Sequence, residues 1–220
     1  LPSKARIAFD ENAEDVARLL EIHAEIGGDD KGRRFGLEVL NKSAIVLITA
    51  IWEAYCEDIA AEALEHLVTN VASGSALPKE LKKRMARDIN AENNDLAMWD
   101  LADDGWRAKA RTRIATLTAE RNRKLNTPKT DQINDLFEAA IGLPNVSASW
   151  RWKKMSAAQA KTKLDNYVTL RGAVAHRGAA ASSIKKAQVS DYFQHVKSLV
   201  GKTGGKVNAY LKSATNKSLW

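Results

Sequence analysis

Cysteine is nearly missing from this chain, with Cys56 as the only one among 220 residues. A lone cysteine makes no internal disulfide and no cysteine-based zinc site, which points to a reducing compartment. Long apolar runs are missing too. The most hydrophobic stretch, Ala44 to Ile51, falls well short of the roughly 18 residues of a membrane span and leads into Glu53, Glu57 and Asp58. The N-terminus lacks the basic-then-apolar order of a secretory signal. The expectation is a cytoplasmic protein with no membrane partner. No glycine-rich phosphate loop occurs, and His23, His66 and His195 have no acid or cysteine at metal-ligand spacing. No metal and no cofactor is therefore expected. Proline is scarce as well: Pro2, Pro78, Pro128 and Pro144 are the four, and the last three fall where segments join. Sustained apolar/polar alternation is absent, so no strand is expected.

What is present is an ordinary globular balance, 45% hydrophobic and 28% charged, enough to bury a sizeable core. One domain over residues 1–220 is expected, with 79–104 as an insertion or variable region. The net charge of +7 is unevenly spread. Residues 151–220 carry 14 Lys and Arg against two acids, Asp165 and Asp191, whereas the first 150 carry 20 basic and 25 acidic residues. A basic third on an acidic body suits an anionic partner, RNA first. The plainer alternative is a lysine-rich solvated face.

Helical periodicity dominates. A first helix is predicted from Asp10 to Ile26, ended by Gly27 and Gly28. The second is the longest: Leu37, Leu40, Ala44, Leu47, Ile51, Tyr55, Ile59, Ala63 and Leu67 recur every three or four residues, one stripe from Gly36 to about Val71. Such a helix is about 50 Å long and needs a long partner, in an antiparallel bundle or a dimer. A short basic helix follows Pro78 and runs through Ile89. Between Asn90 and Asp104, Leu96, Trp99 and Leu101 are the expected anchors. Another helix is predicted from Trp106 to about Arg121. Thr127-Pro128 reads as a cap and first position for a helix carrying Ile133, Leu136, Phe137 and Ile141, stopped by Gly142 and Pro144. Ser156 to Gln159 has the form of a capping box. Its helix continues through Leu164, Tyr167, Val168, Arg171 and Ala175, and a loop from Ala179 to Ser183 follows. A last pair of helices is predicted, separated by Gly204-Gly205. The fold class is thus all-α, with one very long second helix.

Arg171 lies on an apolar stripe with Leu164, Val168 and Ala175, where a guanidinium is costly unless it meets an anion or acceptors. Five residues on comes His176, then Arg177. On a continuous helix five residues amount to about 140° of rotation, so the two side chains diverge. They meet if the helix loosens at its end, which Gly172 and Gly178 permit, or across a two-fold axis between subunits. The same offset occurs between Arg18 and His23, inside a helix without glycine, where they read as a surface arginine and a core-edge histidine.

The segment Leu170-Arg171-Gly172-Ala173-Val174-Ala175-His176-Arg177-Gly178 resembles the Arg-x4-His motif of the HEPN superfamily. Leu47 to Ile59 (LITAIWEAYCEDI) resembles the long second helix of its RiboL-PSP-HEPN group, and Leu125 to Trp150 resembles that group's connection to the motif helix. The likeness spans roughly Gly36 to Val200, with little recognisable from Lys79 to Asp104. Gly172 departs from the pattern, since a polar residue often follows the arginine.

The resemblance implies an all-α HEPN-like bundle and metal-independent RNA cleavage, by attack of the 2′-hydroxyl on the adjacent phosphate. It implies His176 in proton transfer and Arg171 on the phosphate, with Arg177 as a second phosphate contact. It also implies a homodimer, toxin or phage-defence use, and an antitoxin protein as a further partner. Glu53 lies beside the long helix's stripe and is a candidate to orient Arg171 or His176, or else a solvated glutamate. A non-catalytic RNA-binding or protein-interaction module of the same fold is the alternative, and a helical protein that simply dimerises is a third. Cys56 is expected to be packed rather than nucleophilic. Trp52, Trp99, Trp106, Trp150 and Trp152 are expected mainly as core or interface anchors.

Overall fold

The computed structural model describes residues 1–27, 37–113, 127–177 and 183–220, with His176 and Arg177 described by their backbone alone. Among the described residues there are seven α-helices and no strand: α1 Lys4–Gly27, α2 Glu38–Asn70, α3 Lys79–Asn90, α4 over 105–113, α5 Thr130–Ile141, α6 Ala157–Arg177 and α7 Lys186–Thr215. Three short 3-10 turns, Gly74–Ala76, Ala97–Leu101 and Val146–Ser149, join them. Parts of several predicted elements lie outside the described residues: the start at Gly36, the stop at Gly28 to Asp30, the end of the Trp106–Arg121 helix, Leu125-Asn126 and most of the Ala179–Ser183 loop.

α2 is the axis of the fold, and it is not the one-striped helix expected. Ala44, Ile51, Tyr55, Ile59, Ala63 and Leu67 are buried as predicted, but a second band of Ile45, Ile48, Trp52, Cys56, Leu64 and Val68 is buried beside them. The reason is neighbours on several sides: α1, α5, α6 and α7 all pack against α2. A helix covered this way is apolar nearly all round. Cys56 is fully buried, and burial raises its thiol well above the usual range. Trp52, Trp106 and Trp150 are core residues, and Trp152 packs at the core's edge.

Other boundaries differ for local reasons. α1 starts at Lys4, not Asp10, because Ala5, Phe9, Ala13 and Val16 extend its buried face. Its first turn is capped by Ser3 Oγ, which accepts from Arg6 N–H at 3.1 Å, and by Glu62, which accepts from Lys4 and Ala5 N–H at 3.2 and 3.1 Å. Of the anchors expected between Asn90 and Asp104, only Leu101 packs on the core. Leu96 and Trp99 are exposed, and the small Ala97 takes the buried place. Thr127-Pro128 lies in a tight turn before α5, where Lys129 N–H donates to Thr127 O at 2.8 Å, and does not cap the helix. The helix begins at Thr130, whose N–H and hydroxyl both donate to the Asp165 carboxylate of α6, at 2.8 and 3.0 Å. That tie between helices replaces the local cap. Gly142 does end α5, in the left-handed region at φ 73°, where Leu81 N would lie 2.7 Å from any Cβ.

Gly204-Gly205 does not divide the C-terminal helix, and α7 runs unbroken through both. Gly204 is a contact point instead. The Tyr55 hydroxyl, which donates to Val200 O at 3.0 Å, would be 2.7 Å from a Cβ there. The glycine keeps α7 close to α2, and the tertiary packing outweighs its poor helix propensity.

Candidate active site

The register of α6 is set at its start. Gln159 Oε1 accepts from Ser156 N–H at 2.9 Å, and Ser156 Oγ accepts from Gln159 N–H at 3.3 Å, the capping box read from the sequence. From that start Ala160, Leu164 and Val168 face the core and are buried. Arg171 is the next position on this face. Its side chain is 15% exposed, against 21% for Glu53 of α2, and Arg171 Nη2 lies 3.7 Å from Glu53 Oε2. The stripe does not continue as expected, since Ala175 is exposed and Val174 is buried in its place.

The Arg171–Glu53 pair lies one helical turn from a second polar pair in an otherwise apolar interface. Thr49, one turn before Glu53 on α2, donates its hydroxyl to Ile45 O at 2.9 Å. With that proton committed, the buried Tyr192 hydroxyl of α7 donates to Thr49 Oγ1 at 3.0 Å. Burial raises Tyr192 above the usual phenol range, while the charge of Arg171 pulls the other way. The Tyr192 ring stacks on Tyr167 of α6, with centroids 4.2 Å apart and planes inclined by 13°. Nearby, Asn41 Nδ2 donates to Ile184 O at 2.8 Å and ties the start of α2 to the segment entering α7. These bonds tie α2, α6 and α7 together around the Thr49–Tyr192 pair, and α2 supplies the carboxylate that faces the guanidinium.

The structure thus brings Arg171 and Glu53 together. His176 and Arg177 belong to the same α-helix, and their side chains lie outside what is described. The helix does not loosen between 171 and 176, so those positions stay about 140° apart around its axis. Gly172 is not required by packing: a Cβ there would meet nothing within 4 Å. Arg18 is exposed and bound to Glu21 and Glu25, and His23 is buried, which matches their reading as structural residues. Tyr192, Thr49 and Tyr167 were missed as site residues. Their only trace in the sequence is a hydroxyl inside a run that otherwise reads as core. Among the described residues no three His, Cys, Asp or Glu side chains gather as a metal site requires, and no helix is long and apolar enough to cross a membrane.

The sequence model of the RiboL-PSP-HEPN family matches residues 10–208. The chain belongs to the RiboL-PSP-HEPN family. The matched span includes Glu53, Arg171, His176 and Arg177, and it starts six residues inside α1 and ends within α7. No curated protein and no solved structure matches the chain. Membership of the HEPN superfamily points to an RNA-related role, and the RiboL-PSP-HEPN fold here is the all-helical one.

Proposed function

We propose that this chain is a metal-independent endoribonuclease whose catalytic pair is Arg171 and His176. The observation that carries the reading is the placement of Arg171. A guanidinium stands on the buried face of the motif helix, held by Glu53 at 3.7 Å and only 15% exposed. Burying a charge there is costly, and in this reading the guanidinium is kept there to bind a phosphodiester. In this reading His176 takes the proton from the RNA 2′-hydroxyl. The freed oxygen attacks phosphorus, the bond to the 5′-oxygen breaks, and that oxygen gains a proton. The products carry a 2′,3′-cyclic phosphate and a 5′-hydroxyl. Arg171 offsets charge on the phosphate as the transition state forms, Arg177 adds a second phosphate contact, and Glu53 orients Arg171. No cofactor takes part.

The unbroken α6 favours a site shared between two copies, with Arg171 of one facing His176 of the other. α2 has a surface that suits such a pairing. Val39 and Val46 are exposed, and Ser43 and Ala50 lie on the same side of the helix, leading to Glu53. A cytoplasmic toxin or defence role, with an antitoxin protein as partner, fits the family. Gly172 favours one second reading, a non-catalytic RNA-binding or protein-interaction module, because the usual polar neighbour of the arginine is missing. The test is cleavage of single-stranded RNA in EDTA. Loss of cleavage in a folded His176→Ala chain is expected, and cleavage that survives the substitution refutes the assignment.

A further inference from the structure

A groove of about 600 Å³ opens between α6 and α7. Thr162, Lys163, Asn166 and Tyr167 line it from α6, and Gln188 and Asp191 from α7. From Ala158 to Leu170 it follows α6 for about 18 Å, at 1.5 Å per residue. Two observations tie it to the Arg171 site. Tyr167 lines the groove and stacks on Tyr192, whose hydroxyl is bonded to Thr49, one turn of α2 from the Glu53 that faces Arg171. Leu170, the neighbour of Arg171 in the chain, also lines the groove.

The lining favours bases over phosphates. Thr162 and Asn166 are exposed into the groove, and among the described residues their side chains make no hydrogen bond. The two charges present are paired with each other: Lys163 Nζ lies 2.6 Å from Asp191 Oδ1, and the Tyr167 hydroxyl donates to Asp191 Oδ2 at 2.8 Å. That pairing damps the repulsion Asp191 exerts on a nucleic acid and leaves uncharged polar groups facing the space. An asparagine amide matches the edge of an adenine with two hydrogen bonds, and sequence-reading of RNA is done on splayed single-stranded bases.

We infer that this groove is a base-binding subsite for single-stranded RNA, where Asn166 and Thr162 hydrogen-bond the edges of nucleotides flanking the phosphate held by Arg171. The inference rests on the RNA reading above and adds a specificity element to it. A duplex, with its bases paired and stacked, does not enter.

The test measures binding of a fluorescein-labelled single-stranded RNA to the full chain carrying His176→Ala, which holds the substrate uncut. Asn166→Glu places a charge in the groove and is expected to weaken binding by about tenfold or more, in line with the loss of a base contact. Asn12→Glu makes the same charge change on exposed α1 and is expected to stay within about twofold. Melting curves of both variants establish that they fold, and Thr162→Ala offers a milder second change. If RNA binds and neither Asn166→Glu nor Thr162→Ala weakens it more than Asn12→Glu does, the groove is not the subsite, whatever the nuclease assay shows. If binding depends on the groove but the wild-type chain cuts nothing, the subsite stands and the ribonuclease reading falls. Failure to bind RNA at all overturns both, and equal affinity for a duplex of the same sequence overturns the single-strand preference.

Discussion

Replacing Glu53 by Gln leaves Arg171 without the carboxylate that faces it. At 3.7 Å and an effective dielectric of 20, the gross attraction is about 4.5 kcal/mol. Desolvation of both ions offsets most of it, and side chains 15% and 21% exposed are still partly screened. A net coupling of about 1–2 kcal/mol is expected. The assay is a double-mutant cycle by urea unfolding with Glu53→Gln, Arg171→Met and the double variant, methionine keeping the buried stem without its charge. Each single change is expected to cost about 2 kcal/mol, and the double to cost less than their sum by the coupling energy. In melting temperature each single variant then falls by about 4–8 °C. Additivity within about 0.3 kcal/mol refutes the reasoning, because two groups that ignore each other in solution do not position one another.

Two adjacent glycines give opposite signs. Gly204→Ala drives a Cβ to 2.7 Å from the Tyr55 hydroxyl and is expected to destabilise α7 by about 1–3 kcal/mol, whereas Gly205→Ala, with open space at its Cβ, is expected to stabilise it by up to about 1 kcal/mol. Urea midpoints of the two variants check the pair, and a shift of the same sign in both refutes the contact. His195 gives a pH dependence. Its ring is buried, Nε2–H donates to Ala160 O at 3.1 Å, Nδ1 has no partner among the described residues, and burial holds its pKa down to about 4. The unfolded chain, titrating near 6.5, binds a proton that the folded chain refuses. Stability is therefore expected to fall as pH drops from about 6.5 to about 4, by at most about 1.4 kcal/mol per unit, and to level off below. His195→Gln is expected to flatten that slope in a urea-by-pH series, and parallel slopes refute the assignment.

The helices were largely readable in the sequence because their signals are local. The three-or-four-residue stripe of α2, the Ser156–Gln159 box and the Gly142 stop depend on residues within a turn or two of each other, and each lies where periodicity and capping put it. The misreadings share a cause, which is tertiary structure replacing a local signal. Asp165 caps α5 from another helix, so Thr127-Pro128 was not needed. Gly204 admits a tyrosine from α2 and so is not a break. Leu96 and Trp99 look like anchors by type alone, yet both are exposed. The same holds at the site. Arg171 was conspicuous as a charge on an apolar stripe, and Glu53 as its candidate partner. Thr49 and Tyr192 were hidden, because one hydroxyl in an apolar run reads as core until the helix opposite is known.

The central claim is that Arg171 and His176 act at one site formed by two copies of the chain. Mixing Arg171→Ala and His176→Ala chains, each inactive alone, measures it directly. Random pairing makes about half of the dimers mixed, each with one intact Arg171–His176 combination across the interface, so about a quarter of wild-type RNA cleavage is expected to return. A mixture that stays inactive, though both variants fold and exchange subunits, contradicts the shared site.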